Sequence, residues 1–230
     1  MPGTGGFVPW GPDHQAVLAL TALGAAALIL VRAPLRAADD RWVRRGIAAL
    51  LAGNELIAWI ITVLQGHARV PLQLCDLAFF MTVWALWSLR RPVAELAYFW
   101  GLAGSLQAVL TPDVHEPFPS YWWVKFFVSH CGIVLSALYL GLSGRVRPTA
   151  RSVWRIWLVT NVYAGVAGIA NWLFGTNFGY LAHKPMQPSV LDYLGPWPYY
   201  IGGMELIALA SLSLAYAPFA LARRMSQGAA

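Results

Sequence analysis

Residues 44–64 read RRGIAALLAGNELIAWIITVL: two arginines, then nineteen residues in which Asn54 and Glu55 are the strongly polar side chains. A helix needs about 20 residues to cross roughly 30 Å of hydrocarbon, so this stretch is a membrane span carrying an amide and a carboxyl at mid-depth. Six further stretches have the same character: 15–33, 71–89, 93–111, 121–142, 152–174 and 196–220. Pro34, Pro71, Pro92, Pro112, Pro119, Pro148 and the run from Pro185 to Pro198 punctuate them. At 230 residues, 58% hydrophobic and 11% charged, the chain has more apolar surface than one soluble domain of this size buries. The fold class is all-α, a single transmembrane domain over residues 1–230 built as a seven-helix bundle.

A net charge of +6 in a soluble protein would point to nucleic acid or an acidic partner. Here thirteen of the sixteen basic residues follow the odd-numbered spans (Arg32, Arg36, Arg41, Arg44, Arg45; Arg90, Arg91; Arg145, Arg147, Arg151, Arg155; Arg223, Arg224), and Arg69, Lys125 and Lys184 fall on the other side. Positive charge accumulates on the cytoplasmic side, which predicts an external N-terminus, a cytoplasmic C-terminus and no nucleic-acid partner. Trp10, Trp122, Trp123, Trp197, Tyr199 and Tyr200 gather at the expected outer helix ends, where an aromatic belt belongs. No basic residue precedes the first apolar run, so the first span reads as retained rather than as a cleaved signal. No internal repeat is visible.

Polar groups inside a span are costly unless they face the bundle interior or a wet cavity. They include Gln73, Cys75, Asp76, Gln107, Ser129, His130, Asn161, Asn171 and Glu205, most in the outer half of their spans. Cys75 and His130 sit at similar depth, one to two turns inside. Cys75 stands in the first turns of a helix that Pro71 opens, where the helix N-terminus favours thiolate. His130 is placed to act as general base toward it. Bonding between helices is the competing role for each of these groups. Asp76 is a partner that could orient the histidine. A Cys75–Cys131 bridge, and a metal site drawing His14, His67, His115 or His183 together with Asp113, Glu116 or Asp192, are further pairings; no HxxxH or HExxH spacing supports a metal. The loops TPDVHEPFPSYWW and GTNFGYLAHKPMQPSVLDYLGPWPYY read either as a lid or as interfacial anchors.

PLQLCD (71–76), GLAGSLQAVLTPD (101–113), FFVSH (126–130), GTNFGYLAHKP (175–185) and LDYLGPWPYY (191–200) together resemble the bacterial YwaF membrane proteins. That family is similar to the eukaryotic transmembrane protein 164 family, acyltransferases that remodel phospholipid acyl chains through a membrane-embedded cysteine. More distantly it resembles the androgen-induced and androgen-dependent fatty-ester hydrolases, which use a threonine and a histidine. The resemblance implies an acyl-accepting nucleophile at Cys75 and a partner at His130. It departs from the distant hydrolases in offering cysteine where they have threonine.

The expected function is therefore lipid acyl transfer or ester hydrolysis in the cell inner (plasma) membrane. Cys75 and His130 would be catalytic, and Asp76, Gln107, Asn171 and Glu205 orienting or oxyanion-stabilising. Phospholipids or lysophospholipids are the expected partners, with no cofactor or metal and no protein partner specified. A proton- or cation-coupled transporter using Glu55, Asp76 and Glu205, and a non-catalytic scaffold, are the alternatives.

Overall fold

The computed structural model describes residues 6–37, 39–67 and 70–227, and these contain helices and turns with no strand. The helices are α1 (Pro12–Leu30), α2 (Arg32–Ala37), α3 (Arg41–Leu64), α4 (Leu74–Ser88), α5 (Arg91–Trp100), a π-helical turn (Gly101–Ser105) running into α6 (Leu106–Leu110), α7 (Tyr121–Leu142), α8 (Ala150–Phe174) and α9 (Tyr199–Gln227). Among the described residues six segments are long and apolar enough to cross a membrane: α1, α3, α5 through α6, α7, α8 and α9. They coincide with six of the expected spans to within a few residues, except that α9 continues to Gln227, past Pro218. Arg69, counted among the outer basic residues, lies outside the described residues.

The expected span 71–89 differs. Its helix has 15 residues, about 22 Å at 1.5 Å per residue. Pro71 does not open it. The Tyr163 hydroxyl donates to the Leu72 carbonyl (3.0 Å) and Gln73 takes the cap with extended backbone angles, its N–H donating to Asp76 Oδ2 (3.0 Å). These bonds hold Leu72 and Gln73 out of the helix.

Burial sorts the helices. In the α5–α6 and α7 spans 56% and 50% of the apolar window is buried, against 6% in α1 and α9, so α5–α6 and α7 form the axis. Small residues bring helices close to this axis: a Cβ on Gly101 would stand 2.7 Å from the Ala137 Cβ of α7, and one on Gly132 of α7 would stand 2.6 Å from Leu51 Cδ2 of α3. Lipid tails give helices no hydrophobic reason to associate, and close backbone approach supplies dispersion instead. The outward surface carries exposed Leu20, Leu23, Ile57, Leu64, Ile169 and Leu214. An apolar surface of that extent is stable only in lipid, and the chain is a multi-pass membrane protein.

One end of the bundle is closed by buried carboxylates that the spans alone did not advertise. Glu95, fully buried, accepts from Arg91 Nε (2.9 Å) and from Arg155. Asp40, just before α3, pairs with Arg44 (2.9 Å) and Arg145 (3.1 Å) and accepts from the Tyr139 hydroxyl. Burial alone would raise the Asp40 pKa; the Tyr139 and Arg44 hydrogen bonds and the Arg145 and Arg44 charges outweigh it and hold the carboxyl below its ordinary value.

Candidate functional site

A cavity of about 490 Å³ lies among α4, the π-turn, α6, α7, α8, α9 and the segment that precedes α9. Its walls are largely apolar, with Phe79, Ile133, Met204, Ile207 and Leu212 among them. Cys75, Asp76, Gln107, His130 and Glu205 all line it. Residues from four separate stretches of sequence, selected for being polar within apolar runs, thus share one space.

Asn171 does not join them. Its Oδ1 accepts from Thr176 Oγ1 (2.9 Å) and the Phe178 N–H (2.7 Å), and its Nδ2 donates to the Phe178 carbonyl (3.0 Å). The side chain ties off the loop that leaves α8. Depth along a helix, which drew attention to Asn171, carries no information about direction around it.

Cys75 is the second residue of α4, since Gln73 is the cap. The first N–H groups of a helix have no partner within it and carry the positive end of its dipole, so the later start of α4 brings the thiol nearer to that end than Pro71 would have. Asp76 is the third residue and caps the helix through the Gln73 N–H. Gln73 also reaches across the site: its Nε2 donates to the Asn177 carbonyl (3.2 Å) and its Oε1 accepts from the Gly179 N–H (2.9 Å).

His130 stacks on Phe126, with ring centroids 4.0 Å apart, and its Nδ1 lies 2.8 Å from the Phe126 carbonyl. A carbonyl only accepts, so Nδ1 carries the hydrogen and, in the neutral ring, Nε2 is the basic nitrogen. Tautomer and ring plane are both set by one turn of α7.

Gln107 Nε2 donates to Ser211 Oγ (3.4 Å), and Glu205 accepts from Asn161 Nδ2 (3.0 Å), so both are tied to neighbouring helices at the cavity wall. Glu55 pairs with Lys125 (2.7 Å). A group missed in the sequence is Ser105, last residue of the π-turn: it is 1% exposed, lines the cavity, and its Oγ has no hydrogen-bond partner among the described residues. π-Turns recur at functional sites, and a buried hydroxyl without a partner is costly. Its only sequence signal is a polar residue ending the small-residue run GLAGS.

Gly179, Tyr180, Leu181, Val190 and Leu191 bring the long segment before α9 onto the cavity. The Tyr180 hydroxyl donates to Asp113 Oδ2 (3.0 Å), joining this segment to the loop after α6. Burial first, then the Asp113 carboxylate, raises the Tyr180 pKa above its ordinary value, which keeps the phenol a donor.

Several residues of the competing pairings have partners elsewhere. Cys131 is not bridged to Cys75; its sulfur accepts from Thr21 Oγ1 (3.2 Å). His14 is fully buried, accepts from the Trp10 N–H (3.0 Å) at Nδ1, and so donates from Nε2 to the Val109 carbonyl (2.8 Å). Asp192 caps its own turn through the Ser189 N–H (2.8 Å). Among the described residues no three His, Cys, Asp or Glu side chains converge as a metal set.

A protein of Treponema pallidum (strain Nichols), itself described only as uncharacterized, is 28% identical over 236 residues, covering 94% of this chain and 91% of the relative. No solved structure matches. The TMEM164 family profile matches residues 9–216, nearly the whole chain, and the chain belongs to the TMEM164 family.

Proposed function

We propose that the protein transfers acyl groups between membrane lipids, with Cys75 as nucleophile and His130 as general base. In this reading α4 completes a seven-helix, single-domain bundle in the inner (plasma) membrane, N-terminus outside and C-terminus cytoplasmic, with the cavity toward the outer leaflet. The observation that carries it is that a thiol at a helix N-terminus and a histidine with its basic Nε2 defined line one apolar-walled cavity. Its volume falls within the range of about 300–1,000 Å³ typical of small-ligand sites.

In the first step His130 Nε2 takes the thiol proton and Cys75 Sγ attacks the ester carbonyl of a phospholipid. The acyl carbon–oxygen bond breaks, the proton passes to the departing oxygen, and a lysophospholipid leaves a thioester on Cys75. In the second, His130 takes a proton from the hydroxyl of another lysophospholipid, or from water, which attacks the thioester and restores the thiol. The oxyanion of each tetrahedral intermediate needs donors about 3 Å away. Ser105 Oγ–H and Gln107 Nε2 are the donors proposed, with Asp76 and Glu205 holding helix start and wall. A cation path through the carboxylates is less well supported, because Lys125 balances Glu55 and Asn161 engages Glu205.

The test is intact mass spectrometry of lipid-reconstituted protein exposed to an activated lipid ester. A single acyl adduct that is absent in Cys75→Ala and decays faster with added lysophospholipid is the expected result. Folded Cys75→Ala that retains full acyl transfer overturns the mechanism.

A further inference from the structure

A second cavity of about 490 Å³ opens at the arginine-rich end of the bundle. It lies between Arg36 of α2, the Gly141–Arg147 stretch that ends α7, and the last turns of α9. Gly141 is eleven residues from His130 along α7, about 16 Å at 1.5 Å per residue, so the two cavities are separate. Among the described residues its lining carries four guanidinium groups, Arg36, Arg145, Arg147 and Arg223, and no carboxylate. Val146, Phe219 and Ala222 form an apolar strip beside them.

Three of the four forks are held in place by the fold. Arg36 Nε donates to the Leu142 carbonyl (3.0 Å), Arg223 Nη2 to the Pro148 carbonyl (2.7 Å), and Arg145 pairs with Asp40 (3.1 Å). A guanidinium has five N–H donors, and carbonyl bonds at Arg36 and Arg223 orient the group without neutralising it. Asp40, the carboxylate that pairs with Arg145, shares its single charge with Arg44. The cleft is therefore strongly positive. Positive residues at this end follow from topology alone, but topology does not require four of them to converge on one cavity with an apolar strip.

We propose that this cleft binds a phosphate ester, recognised by the guanidinium forks, with the apolar strip taking the adjoining hydrocarbon. Planar forks match phosphate oxygens in pairs, and basic pockets between membrane helices are where headgroup phosphates bind. The proposal is independent of the chemistry at Cys75. Its ligand is either a lipid headgroup or a soluble phosphate ester.

Native mass spectrometry of the full chain released from phosphatidylcholine nanodiscs doped with phosphatidylglycerol separates these sources, with glycerol 1-phosphate in lipid-free-ligand runs as the second arm. One retained phosphatidylglycerol per chain identifies a headgroup site, and retention of glycerol 1-phosphate without the lipid identifies a soluble ester; either supports the site. Arg36→Gln/Arg147→Gln is expected to reduce retention at least tenfold, whereas the charge-matched pair Arg32→Gln/Arg224→Gln, outside the lining, leaves it unchanged. Arg36→Lys/Arg147→Lys keeps the charge and the fold and should bind several-fold more weakly. The proposal is overturned if folded wild-type protein retains neither ligand, if the two glutamine pairs lose it equally, or if the lysine pair binds as well as wild type.

Discussion

Replacing Cys75 by alanine removes the only thiol lining the cavity among the described residues. Lipid acyl transfer in reconstituted vesicles should fall by about 10⁴-fold or more, with the melting temperature in detergent unchanged. Ser105 makes the sharper case. Its buried Oγ has no partner among the described residues, so Ser105→Ala relieves an unsatisfied hydroxyl in the resting protein while removing a donor proposed for the oxyanion. Turnover is expected to drop about 10²-fold while thermal stability holds or rises. A parallel loss of both would assign Ser105 to packing. Neither role was legible in the sequence beyond the residue type, because whether a serine next to glycines meets a helix backbone or a cavity depends on the π-turn that rotates it.

At the scale of helices, Gly101 sets how closely α5 approaches α7. Gly101→Ala would place its Cβ 2.7 Å from Ala137 Cβ and 3.3 Å from the Ile133 carbonyl oxygen. Neither neighbour is a flexible chain end, and a loss of about 1–3 kcal/mol is expected, read as a lower melting temperature in detergent. The spans themselves were legible because an apolar run of about 20 residues has few other solutions. The start of α4 was not: a proline suits the first helical position, and the bond from Tyr163 that keeps Leu72 outside the helix comes from 91 residues away. For the same reason the sequence reading passed over Asp40 and Glu95. Asp40 meets Tyr139 and Arg145 at separations of 99 and 105 residues, and Glu95 meets Arg155 at 60, and no local pattern records such pairs.

Across the whole molecule, the Asp40 cluster ties α3, α7 and the turn after it into one unit, and its charge state is a property of the folded chain. Because the folded carboxyl lies below its ordinary value of 3.8, the unfolded chain takes up the proton first. The stabilisation is fully present above that value and is lost as pH falls through the lower folded one. Thermal melts of wild type should therefore decline in strong acid, while Asp40→Asn melts lower at neutral pH, by about 1–3 kcal/mol, and declines less steeply. Topology is testable on the same scale. Single cysteines placed at Glu116 and Met186 in a Cys75→Ala/Cys131→Ala background should react with impermeant maleimide from outside intact cells, and one at Arg147 only after lysis. Reaction of all three from outside would sink the proposed orientation.

Gln73 joins the helix that carries Cys75 to the segment that lines the far side of the same cavity. The Gly179 N–H ends on the Gln73 side-chain oxygen rather than on backbone, so that one amide is protected from solvent deuterium only while this single side-chain bond is made. Its exchange rate therefore counts how often helix and segment part, and a molecule that fills the cavity and pins the segment is expected to slow that single clock before turnover is measured at all.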